Sequence, residues 1–213
     1  MNLPPLQRPP FRPPALPRRA LLAPALLIAL AGCASSPPPA WHSVLPPANA
    51  AAPVPASVSP GPSIAVGRIS VPEAIDRPAL VVATGSGLAV MDGQRWIEPV
   101  KAQLPRAVAL LLAERLPGTA VSAWPAAVSG NPQWRLAADV QRFDLVRAPA
   151  GARLRVVWSL QSTAGEAAPA ALRTFDTTVA ANGAGSDDLV GAMRSAIAQW
   201  AAQVAASAAG RAE

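Results

Sequence analysis

Leu154-Arg155-Val156-Val157-Trp158-Ser159-Leu160 carries apolar side chains at 154, 156, 158 and 160. Successive side chains of extended backbone point to opposite sides, so this repeat of two places all four on one face of a β-strand. The stretch before it extends the reading. From Trp134 to Val146 the apolar positions run Trp134, Leu136, Ala138 and Val140, then slip to Phe143 and Leu145. A bulge near Gln141 accommodates such a slip and keeps both halves on one face. Ala148-Pro149-Ala150-Gly151 is the turn between the two strands. Beyond a Gly/Ala/Pro loop lies a less regular strand, Leu172 to Ala180. Asn182-Gly183-Ala184-Gly185 breaks the pattern, and Ser186 is read as the N-cap of a closing helix. Asp187 and Asp188 fall in its first turn, where the helix dipole favours anions. Leu189, Met193, Ile197, Trp200 and Val204 share one helix face, a spacing that marks core rather than a cofactor site.

The first half of the folded region is read in the same way. Ile64-Ala65-Val66-Gly67-Arg68-Ile69 alternates as a strand, with the folded part expected to begin at Ser63. Pro72 and Pro78 bracket a loop, Val71 to Arg77; Leu80 to Ala83 is a second strand, and Gly85-Ser86-Gly87 a turn. Leu88 to Met91 is a short third strand closed by Asp92-Gly93. Trp96, Val100, Leu104, Val108, Leu111 or Leu112, and Leu116 then recur every three to four residues, predicting a helix. Pro99 suits a first turn, whereas Pro105 is expected to kink or restart the helix near Leu104, and Pro117-Gly118 ends it. Thr119 to Trp124 is a strand, followed by a loop around Gly130-Asn131-Pro132. Strands interspersed with two main helices place the domain, residues 63–208, in the α/β class.

Ahead of Ser63 the composition changes abruptly. Nine prolines lie between Ala34 and Pro62: Pro37, Pro38, Pro39, Pro46, Pro47, Pro53, Pro55, Pro60 and Pro62. Proline fixes φ and lacks an N–H, so residues 33–62 favour extended polyproline II chain. At ~3.1 Å per residue they reach about 90 Å when fully extended. A tether lifting a domain off a membrane and a disordered tail without metric role both fit. Trp41-His42-Ser43-Val44-Leu45 interrupts the prolines and is a candidate short edge strand. His42, the only histidine, is expected to be solvated in this linker.

Cys33 is the only cysteine among 213 residues and closes Leu30-Ala31-Gly32-Cys33. Arg8, Arg12, Arg18 and Arg19 precede an apolar run from Ala20 to Ala31, ending in the small pair Ala31-Gly32. This is the order of a secretory signal over residues 1–32, and the run is far shorter than the ~20 residues of a membrane-spanning helix. Other readings are an ordinary signal with an incidental cysteine, a frayed apolar tail, or a twin-arginine signal at Arg18-Arg19. The long proline-rich start leaves open a start codon downstream of Met1. Leu30, Ala31, Gly32 and Cys33 resemble the lipobox of bacterial lipoproteins. That resemblance implies cleavage after Gly32, a diacylglyceryl thioether on Cys33 and acylation of the new amino terminus.

No acid precedes Cys33, so the formal net charge of +6 falls to +2 for the rest of the chain. The arginines there are scattered among acids, which excludes a nucleic-acid footprint. The candidate chemistry is sparse. The single imidazole lies in the linker and the single thiol in the lipobox, so no nucleophile has a base beside it. The twelve acids are dispersed, and the adjacent pair Asp187-Asp188 already serves a helix start, so no metal site is indicated. Glu73, Asp76 and Glu98 have no spacing that marks them as acid/base partners. Neither enzyme activity nor a diffusible cofactor is expected; the one attached group is the covalent lipid on Cys33.

The run from Ile64 through Pro72, Asp76, Arg77 and Pro78 resembles the opening of the ABC-type transport auxiliary lipoproteins, the paraquat-inducible protein C family. Further landmarks follow in order: Arg95-Trp96-Ile97-Glu98-Pro99 at a helix start, Asp139 to Asp144 in a strand, then Trp158 and the alanine-rich last helix. The family's usual Tyr-Tyr-x-Leu strand is replaced here by Trp41 to Leu45. The resemblance implies a fold similar to the amino-terminal domain of TolB, a mixed β-sheet flanked by two main helices. It implies a noncatalytic partner of an MCE-domain periplasmic protein in a system moving lipids between the two membranes of Gram-negative bacteria. Ala34 after the cysteine implies the periplasmic face of the outer membrane. A general envelope-assembly or structural lipoprotein with the same shape is the alternative, and homo-oligomer formation is left open. Asp76, Arg77, Pro78, Arg95 and Trp96 are candidate partner or loop-forming residues, with a structural role preferred for Asp76 and Pro78.

Overall fold

In the computed structural model, which describes residues 37–47, 62–123, 131–163 and 171–210, the longest strand is also the hub of the sheet. Eight strands are described: β1 Ala40–His42, β2 Ser63–Ser70, β3 Ala79–Thr84, β4 Gly87–Trp96, β5 Ala120–Ala123, β6 Trp134–Arg147, β7 Ala150–Ser162 and β8 Arg173–Ala180. Two helices accompany them, α1 Val100–Arg115 and α2 Ser186–Ala209. Along one edge of β6, β7 pairs antiparallel from end to end, and β8 pairs antiparallel with β7. The other edge of β6 is shared. Its first half takes β2 in parallel, with β5 beyond, and its second half takes β3, followed by β4 and β1. The sheet is therefore mixed, as expected.

The predicted bulge lies where the apolar phase slips. Val140 pairs with Val156 and Arg142 with Arg155, so Gln141 is the extra residue. Val140, Phe143 and Leu145 consequently all face the core, as do Leu154, Val156, Trp158 and Leu160 opposite them. The helices cover this side: α2 lies over β7, β8 and β6, and α1 lies against α2, β2 and β5. Leu189, Met193, Ile197, Trp200 and Val204 of α2 are fully buried, which confirms the predicted stripe.

Several boundaries differ from the sequence reading. Strand β4 does not close at Asp92-Gly93 but continues to Trp96. Gly93 has φ +67°, and β4 supplies Met91 to Gln94 where β3 supplies only Leu80, so the Asp-Gly pair forms an irregularity within the strand rather than its end. Trp96 ends this strand, and α1 starts at Val100. Helix α1 runs unbroken through Pro105. The carbonyl Pro105 cannot serve belongs to exposed Lys101, where water can replace the missing N–H. Gly185 rather than Ser186 is the N-cap of α2, with Asp187 and Asp188 in the first turn as expected. The lipobox with Cys33, the residue Trp124 and the loop residue Gly130 lie outside the described residues.

The largest change concerns the proline-rich stretch. Ala40–His42 pairs in parallel with Gln94–Trp96, Val44 is buried, and this segment belongs to the unit that starts at Pro39. His42, expected to be solvated, is only 6% exposed, because β1 turns it to the same face as Trp96.

Candidate functional site

The edge formed by β1 and β4 brings together most of the residues singled out from the sequence. The Trp96 N–H donates to the Pro78 carbonyl (2.7 Å), and Ala79 pairs with Arg95, so the Asp76-Arg77-Pro78 loop and the Arg95-Trp96 pair are neighbours. Trp41 and His42 pair with Arg95 and Trp96 on the other side. Trp96 itself is buried and meets Phe143 edge to face at 6.2 Å between ring centroids. Its role is therefore packing. Arg77 and Arg95 are exposed.

Asp76 has a structural task. Helix α1 has Pro99 at its N-cap, no side-chain cap and no acid in its first turn. Four N–H groups at a helix start need partners, and the dipole there attracts negative charge. Asp76 supplies both from the β2–β3 loop: its carboxylate accepts the Lys101 N–H at 3.4 Å and pairs with Lys101 Nζ at 2.6 Å.

A second cluster, which sequence reasoning missed, holds the segment after β1. Gln103 is fully buried on α1; its Oε1 accepts from the Ser43 hydroxyl (2.8 Å) and the Val44 N–H (3.0 Å). Its Nε2 donates to the Glu98 carbonyl (2.5 Å). Arg194 of α2 donates from Nε to the Ser43 carbonyl (2.9 Å), and the Ile97 N–H donates to the His42 carbonyl (2.9 Å). His42 Nε2 lies 2.6 Å from Gln94 Oε1, and its Nδ1 lies 3.2 Å from the exposed Asp187 carboxylate. Strand β4, the loop residue Ile97 and both helices thus clamp three consecutive residues, His42 to Val44. Two signals pointed here: His42 and Val44 share the period-two face, and Gln103 interrupts the apolar face of a helix between Val100 and Ala107.

Among the described residues, no three His, Cys, Asp or Glu side chains converge so as to hold a metal ion. No helix among them is long and apolar enough to cross a membrane. Within the clamp, Gln103 and Arg194 hold backbone groups, while Gln94 and Asp187 hold the His42 ring.

The sequence model of the ABC-type transport auxiliary lipoprotein component family matches residues 44–205, from the clamped segment into α2. The chain belongs to this family. The match bears out the resemblance carried by the ordered motifs between Ile64 and the last helix. Two solved structures are similar to this auxiliary lipoprotein in fold. The crystal structure of an uncharacterized protein superposes with a TM-score of 0.64 at 19% identity, covering 80% of this chain and 99% of the other. Protein XCC0632 from Xanthomonas campestris, of family DUF330, superposes with a TM-score of 0.55 at 20% identity, covering 79% and 91%. Among curated proteins none matches the chain.

Proposed function

We propose that this chain is a noncatalytic lipoprotein, anchored through Cys33 at the periplasmic face of the outer membrane, that docks the periplasmic part of an MCE-type lipid transporter. The observation that carries this reading is the family match over residues 44–205. Its first described elements support an anchoring role, because the clamp fastens the chain close to Cys33 rather than building a reactive site. Ala34 after Cys33 supports the outer membrane over the inner.

The test is capture of an MCE-domain protein by the full chain, by crosslinking in cells and by pulldown after detergent extraction. Enrichment of one MCE-domain protein is expected. Failure with every MCE-domain protein of the host would overturn the docking role in favour of a general envelope-assembly lipoprotein. Cys33→Ser is expected to move the protein into the soluble fraction without unfolding the domain; continued sedimentation with membranes would remove the anchor from the proposal.

A further inference from the structure

Docking of β1 shortens the free chain behind the anchor. Only residues Ala34 to Pro39 separate Cys33 from Ala40, the first residue of β1. Seven steps of extended backbone span at most ~25 Å, so the β1 edge cannot lie farther than that from the Cys33 sulfur's own residue. This edge carries an unusual surface. Trp41 is 57% exposed and Ile97 60% exposed. Trp41 is the β-ladder partner of Arg95, and Ile97 follows two residues later with its N–H on the His42 carbonyl. Trp41 and Arg95 point away from the core-facing pair His42 and Trp96. Exposed Arg77 stands nearby through the Pro78–Trp96 hydrogen bond. Of the acids beside this edge, Asp76 and Glu98 are paired with Lys101 and Arg106, and Asp187 lies against His42, whose side chain points away from Trp41.

We propose that Trp41, Ile97, Arg77 and Arg95 form a membrane-contact surface that rests on the leaflet carrying the anchor. The proposal rests on the Cys33 anchor of the preceding section. An indole with an apolar body and a polar N–H settles at headgroup depth, where an isoleucine beside it also leaves water. Guanidinium groups on the same edge meet lipid phosphates in charge-assisted hydrogen bonds. The short leash and the chemistry of the edge agree on one occupant, the lipid surface.

The experiment supplies the anchor chemically. The chain from Cys33 onward, made without export so that Cys33 keeps a free thiol, is coupled through that thiol to maleimide-bearing lipid in phosphatidylethanolamine–phosphatidylglycerol vesicles with plain or brominated acyl chains. Emission of the wild-type chain minus that of Trp41→Phe isolates Trp41 from the other tryptophans. Brominated chains are expected to remove more than half of this difference emission, and equal emission in both vesicles would overturn the proposal. Absent quenching together with dissociation of a self-associated species by Trp41→Ser would assign the patch to a second copy instead, which also overturns it. Trp41→Phe alters an exposed side chain, so an unchanged unfolding midpoint is the folding control. Fatty-acid labelling in cells, abolished by Cys33→Ser, tests the anchor separately, and the two failures are therefore distinguishable.

Discussion

At the scale of single residues, the clamp depends on one buried amide. Gln103 Oε1 is the acceptor for the Val44 N–H, and a buried N–H without an acceptor costs about 1–3 kcal/mol. Gln103→Leu retains the volume but removes the acceptor. We expect about 2 kcal/mol of lost stability, seen as a lower urea midpoint; an unchanged midpoint would show that another acceptor serves Val44. Asp76 is a second single-residue case. Losing its contact with the Lys101 N–H at the start of α1 should cost about 1 kcal/mol in Asp76→Ala, measured by thermal unfolding. The family landmark around it then has a structural cause. Should Asp76→Ala unfold normally yet abolish capture of the MCE-domain partner, the loop contacts the partner instead.

At the scale of elements, strand β6 keeps its face only because of the bulge. Between inward Val140 and inward Phe143 lie two residues, Gln141 and Arg142, where a regular strand allows one. Deleting Gln141 restores strict alternation, so the variant is expected to fold with its stability changed by no more than about 1 kcal/mol. Inserting one alanine between Arg155 and Val156 would instead give Gln141 a partner and turn Phe143 and Leu145 outward. That chain is expected to lose its cooperative unfolding transition in circular dichroism. Equal tolerance of both changes would show that register is held from elsewhere in the sheet. The bulge, strand β7 and the buried face of α2 were legible in the sequence because each is written in the period of its own apolar residues. The exceptions share a different cause. Asp92-Gly93 carries a strong turn signal, yet β1 and β3 pair with Arg95 beyond it and draw the strand onward. Pro105 breaks a local bond but leaves α1 packed on α2 and β2. His42 lies among prolines that suggest a solvated linker, while its partners Gln94 and Asp187 are 52 and 145 positions away in sequence. The identity of such distant partners leaves no mark in a local window, and the composition of the surrounding stretch masked the period-two pattern of His42 and Val44.

At the scale of the whole molecule, the clamp decides which part of the proline-rich stretch can act as a leash. With an anchor at Cys33, only residues 34–39 lie between membrane and domain, whereas residues 48–61 connect β1 to β2 and bear no load. A tether read from composition alone would use its full length, about 90 Å at ~3.1 Å per residue. The two accounts differ in a measurable way. About twenty Gly/Ser residues inserted between Pro38 and Pro39 add an r.m.s. reach of ~25 Å, and the same insertion between Ala51 and Ala52 adds none if β1 stays docked. Energy transfer from a fluorophore at Ser195→Cys to a dye in the membrane reports the height, since under the proposed anchor Cys33 is blocked by its lipid and the introduced thiol is the one left to label. We expect transfer to fall for the first insertion and to remain unchanged for the second. Adding Gln103→Leu weakens the clamp and should make the second insertion count as well, because undocking β1 returns those residues to the leash. Equal loss of transfer from both insertions in the unaltered chain would mean that β1 does not hold under membrane attachment, and the height of the domain would then be set by the prolines alone.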